Sequence, residues 1–165
     1  MPTTFTSAAA VETIAEECIR KWHPELYRAP IRYVFRSKAV KNRGRHVLGK
    51  ARKVTNLAAY LALGGMEEPE PDEPPSPFFV IEIAYDTWEL LTHDQRLALV
   101  DHELCHCVID EDTERRDNLG LRGHDLEEFA AVVQRHGLWK PDVKYFAQVL
   151  RERELQEESA QAEER

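Results

Sequence analysis

Apolar residues recur at Val11, Ile14, Ala15, Cys18, Ile19 and Trp22 between polar neighbours, a spacing that predicts a helix over 8–23. Pro24 limits its continuation. After Pro30 the pattern changes, and Ile31–Arg36 alternates as a strand does. A second strand is expected over 46–55, with 42–44 as the turn between the two. Residues 57–63 read as a short helix stopped by Gly64 and Gly65, and 66–77 as a Pro- and Glu-rich surface loop. Phe78–Ala84, almost continuous in β-branched and aromatic residues, is the strongest strand signal. Helices are then expected over 93–110, over 126–136 and from Val143 onward. The tail after Leu150 is polar all round, as in a solvated helix or a fraying end.

Two of these helices carry start signals. Thr92 and Gln95 form a capping box ahead of the apolar stripe Leu97, Val100, Leu104 and Val108. Asp125 and Glu128 form another, and Gly137 would close the helix that follows. The order of elements predicts a single α+β domain over 1–150 and a polar tail over 151–165. Within that domain lie a basic sheet region (26–66), the Pro/Glu loop (66–77) and a helical half (78–139).

Composition narrows the class. The 165 residues are 42% hydrophobic and 32% charged, enough apolar material for a core. No stretch reaches the roughly 18 apolar residues of a membrane span, and no basic start with an apolar run marks a secretory signal. Cys18, Cys105 and Cys107 are too few and too badly spaced for a disulfide framework, which predicts a reducing, cytoplasmic setting. The net charge of −8 argues against a general nucleic-acid binder. The charge is lopsided, however. Between Leu26 and Met66 there are ten Lys or Arg residues and no acid. Across 36–53 these cations, with Tyr33 and Phe35 beside them, read either as a solvated hairpin or as a weak phosphate-tracking surface for nucleic acid.

The chemistry concentrates in His102-Glu103-Leu104-Cys105-His106, an H-E-x-x-H pattern. On a helix, residues four apart share a face, so both imidazoles can reach one metal ion. The glutamate beside the first projects to the flank, within reach of a water on that metal. At about 100° per residue the two histidines lie opposite the apolar stripe, and Glu103 lies between the faces. An open zinc site needs a third protein ligand. The metzincin continuation is excluded, because Ile109 and Asp112 stand where it requires Gly and His. His124, Glu127 and Glu128 are the downstream candidates.

His102 to His106, followed after an acidic loop by Gly123-His124 and Phe129, resembles the SprT-like group of zincin metallopeptidases. The stretch from Phe78 to Trp139 is similar to a family of phage metallopeptidases. The resemblance implies a zincin-like α+β fold, a Zn2+ cofactor held by His102, His106 and His124, and Glu103 as general base. A gluzincin-like third ligand, Glu127 or Glu128, is the alternative. The zinc ribbon that often follows in SprT-like proteins has no counterpart, since no cysteine follows Cys107. The activity implied is zinc-dependent hydrolysis of a protein or peptide in the cytoplasm of a bacterial host. Strand Phe78–Ala84 would border the cleft and pair with an extended substrate. The rival from another class is a non-catalytic, metal-containing binding protein acting on nucleic acid or a host factor.

Other residues read as structural. Cys105 and Cys107 are expected to pack as small apolar groups, and Trp88 and Trp139 to belong to the core. Tyr85 and His136 read as packing residues before oxyanion donors, and His23, His46 and His93 carry no functional assignment.

Overall fold

The computed structural model describes residues 2–55, 57, 58, 61, 77–110 and 118–163. The expected helix at 57–63 falls mostly outside these residues, as does the Pro/Glu loop. The chain forms two compact units, Met1–Arg122 and Gly123–Arg165.

In the first unit, a four-stranded sheet is built around the most apolar strand. β1 (Phe5–Ser7) runs antiparallel to β2 (Ile31–Arg36), which runs parallel to β6 (Phe78–Ala84) with Ile31 opposite Phe79. β5 (Gly49–Val54) completes the sheet, antiparallel to β6 with Gly49 opposite Ile83. The order is β1-β2-β6-β5. This corrects the expected hairpin between 31–36 and 46–55. Phe79, Ile81 and Ile83 are fully buried, each contributing about 1.5–3 kcal/mol of burial. The strand carrying them takes the centre and separates β2 from β5. The 42–44 turn instead joins two short strands, β3 (Val40–Asn42) and β4 (Arg45–Val47). Its central residues Arg43 and Gly44 both have positive φ, 48° and 80°, as a two-residue turn matched to strand twist requires.

α1 (Ala9–Trp22) lays Val11, Ala15, Cys18 and Ile19 into the core. Directly after β6, the short α2 (Tyr85–Trp88) buries Trp88, with Phe35 packed edge-on 5.7 Å away. α3 (His93–Cys105) starts at the expected capping box: Gln95 N–H donates to Thr92 Oγ1, and Thr92 N–H donates to Gln95 Oε1. Val100 and Leu104 bury its core side. The helix stops at Cys105 and does not run to 110. Cys107–Ile109 becomes β7, paired antiparallel with β8 (Leu119–Leu121), so Val108 leaves the helical stripe for a ladder that suits β-branched residues.

The second unit contains α4 (Ala130–His136), closed by Gly137 at φ 69°, and α5 (Pro141–Glu163), which takes in the polar tail as an exposed helix. The capping box of Asp125 and Glu128 does not form. α4 begins four residues later than expected, without a side-chain cap, because Glu128 bonds the Phe129 N–H and the Trp139 indole. Trp139 is 56% exposed and not a core residue.

Candidate metal centre

His102 and Glu103 occupy the last turn of α3, and His106 is its C-cap. The two imidazoles stand edge to face with centroids 5.1 Å apart, as four-residue helical spacing predicts. His102 is exposed and His106 half-buried. His106 Nδ1 lies 2.8 Å from the carbonyl oxygen of Arg122. A carbonyl only accepts, so the proton sits on Nδ1 and the lone pair on Nε2, the arrangement that prepares a histidine for a metal. Arg122 fixes this end of the helix twice more. Its N–H donates to His106 O and its Nε to Cys105 O, satisfying carbonyls the helix leaves unpaired.

Glu103 is not on an open flank but 4% exposed, pressed against β5. The Ala51 backbone N–H donates to its carboxylate. β5 alternates Gly49 and Ala51 on the side that meets α3, opposite Ile83 and Ile81, and this lack of bulk admits the carboxylate. Burial raises the carboxyl pKa above its ordinary value and the Glu82 charge adds to the rise, while His106 and the Ala51 N–H oppose it. Such a group holds a proton more readily than a solvated glutamate.

β6 has a neighbour on each edge, so it cannot pair with an incoming peptide as expected. The terminal strand on the α3 side is β5. Gly49, Ala51 and Arg122 escaped sequence reading; the one available signal was the small-residue alternation Gly49-x-Ala51 among the long cations Lys50, Arg52 and Lys53.

His124 is the second residue of the second unit and is exposed. Glu127 is exposed, and its backbone carbonyl accepts from Lys140. Glu128 accepts from Phe129 N–H, Trp139 Nε1 (3.0 Å) and lies 3.5 Å from Lys140 Nζ; the Phe129 bond first, then the other two, hold its pKa below the ordinary carboxylate range. Phe129 itself is 77% exposed.

Part of the basic stretch is turned inward. Arg36 and Glu82, each 4% exposed, pair at 2.5 Å, and Arg52 Nε reaches the other Glu82 oxygen at 3.1 Å. Lys53 donates to the Leu119 carbonyl. These cations serve the fold and do not support a nucleic-acid surface.

Among the described residues no helix is long and apolar enough to cross a membrane. No curated protein and no solved structure matches the chain. A family model described as "Putative phage metallopeptidase" matches residues 3–155, well beyond the 78–139 segment that carries the resemblance in sequence. A match over nearly the whole length shows that the chain belongs to this phage metallopeptidase family.

Proposed function

We propose that the protein is a zincin-like, zinc-dependent peptidase in which His102, His106 and His124 hold the ion and Glu103 is the general base. The observation that carries the reading is Glu103: a buried carboxylate with a raised pKa, set beside two imidazoles one helical turn apart. A solely structural metal site has no use for such a group.

The donor set suits zinc, which binds neutral imidazoles readily and keeps a position open when three protein ligands hold it. Within the first unit, His102 and His106 present their imidazoles side by side, two of the three ligands required. His124 follows two residues after Arg122, whose backbone is bonded to His106, so its Cα is tethered within about 7 Å of the Arg122 Cα. Of the two rival ligands, Glu127 and Glu128, the latter is already engaged by Trp139 and Lys140.

When bound, zinc would supply Lewis acidity, polarising the scissile carbonyl and acidifying water. Glu103 takes the proton from the attacking water and returns it to the departing amide nitrogen, a transfer that its raised pKa favours. The Ala51 N–H and the close backbone of Gly49 fix where that carboxylate stands. An extended substrate would add to the terminal strand β5, next to Glu103, by main-chain hydrogen bonds.

The test is Glu103→Gln assayed on a mixture of unfolded proteins and peptides, with metal content measured in parallel. Metal should be retained while hydrolysis falls by about 10²–10⁴. Full activity in that variant would overturn the assignment.

A further inference from the structure

Immediately beside the histidine pair, α3 carries a second pair with the same four-residue spacing, Asp101 and Cys105. His23, the C-cap of α1, meets them. One ligand atom from each of His23, Asp101 and Cys105 lies within 4.8 Å of the other two. His23 is buried, and Asp101 and Cys105 are half-buried. This junction is internal to the first unit and joins two elements distant in sequence.

The imidazole is oriented from both sides. His23 Nε2 is 2.6 Å from Asp101 Oδ1, and Nδ1 is 3.6 Å from Glu25 Oε1, longer than a hydrogen bond. A carboxylate behind the far nitrogen of a histidine is the usual support for a metal ligand. Nε2 is the nitrogen that faces Asp101. In the metal-free chain the Nε2–H donates to Asp101 Oδ1, and its proton occupies the place a cation would take.

We propose that His23, Asp101 and Cys105 form a second metal site that takes zinc. Nitrogen, carboxylate oxygen and thiolate sulfur are the three donor types this borderline cation accepts. Zinc–ligand lengths of about 2.0–2.3 Å place tetrahedral donors roughly 3.3–3.6 Å apart. Drawing the outermost atoms in by about 1 Å, and parting the hydrogen-bonded pair slightly, completes the set. Zinc binding at Nε2 leaves the imidazole proton on Nδ1, beside Glu25, and releases the thiol proton. The ion would tie the end of α1 to α3 on the flank next to the histidine pair.

Cobalt(II) tests this, because the histidine site contains no sulfur. The full-length chain, freed of metal by chelation and loaded with cobalt, should bind about two equivalents and show a near-ultraviolet thiolate-to-cobalt band. Cys105→Ser should abolish the band and lose one equivalent, and His124→Ala should lose the other equivalent with the band intact. A cobalt-loaded chain without the band, or a band undiminished by Cys105→Ser, overturns the proposal whatever happens at the histidine site. A second measurement needs no variant. Cys18 and Cys107 are buried and Cys105 is half-buried, so Cys105 is the thiol most open to an alkylating reagent. Zinc should slow its alkylation at least about tenfold by mass spectrometry, and an unchanged rate also overturns the proposal.

Discussion

Gly49 runs so close to Glu103 that a Cβ added there would lie 2.4 Å from Glu103 Oε1 and 2.9 Å from its Cγ. The glycine is needed for space, since its φ is not in the left-handed region. Gly49→Ala should therefore push the carboxylate off the Ala51 N–H without touching either imidazole. A misplacement of about 1 Å in a catalytic group costs on the order of 10²-fold. The expected result is a fall in kcat of that size with metal content unchanged, measured by peptide cleavage and elemental analysis. Wild-type kcat in Gly49→Ala would show that the position of Glu103 does not limit the reaction.

The raised pKa of Glu103 has a stability consequence. Its folded value lies above its unfolded value, so the neutral carboxyl is the form that folding favours. The stability it contributes is fully present below the unfolded value, near 4.3, and is lost as pH rises through the folded one. In metal-free protein, Glu103→Gln should therefore melt higher than wild type at pH 8, with the difference shrinking toward pH 5. A difference independent of pH would remove the burial argument.

Legibility from sequence followed the range of each interaction. The capping box at Thr92 and Gln95, the strand Phe78–Ala84 and the positions of His102 and Glu103 on α3, with His106 at its C-cap, depend on neighbours a few residues apart, and all were readable. The strand order was not. Ile31–Arg36 and the 46–55 region look like a hairpin until Phe78–Ala84 inserts between them, a contact fixed by burial of residues some thirty positions on. Val108 fitted the helical stripe but pairs with Gly120 instead, because the β7–β8 ladder outcompetes one more helical turn. The burial of Glu103 was hidden for the same reason, since it depends on β5. His23 is 78 residues from Asp101, and nothing local announces their contact.

Arg36 and Arg52 both meet Glu82 but should differ sharply in cost. Arg36 is buried and donates besides to the carbonyls of Lys38 and Val47, joining the β3–β4 hairpin to the sheet. Removing it strands a buried carboxylate, so Arg36→Met should destabilise by about 3–5 kcal/mol. The Arg52 side chain is nearly half exposed, and Arg52→Met should cost less than about 1 kcal/mol. Denaturant midpoints of the two variants decide it, and equal losses would contradict the buried role of Arg36.

The third ligand separates two versions of the site. If His124 completes it, His124→Ala should weaken zinc by more than the roughly 10–100-fold that loss of an outer-shell partner costs. Glu128→Gln should leave zinc affinity unchanged, because its carboxylate serves Phe129, Trp139 and Lys140 within the second unit. That variant should instead loosen the link from Glu128 to Trp139 and redden the tryptophan emission as the indole loses its acceptor. Competition with a zinc chelator reads both affinities on the same scale, and glutamine keeps the size of the side chain. The reverse outcome, zinc lost with Glu128→Gln and kept with His124→Ala, would move the ligand set to two histidines and a glutamate. Glu103 would keep its role in either case, since the carboxylate is positioned by β5 and not by the third ligand.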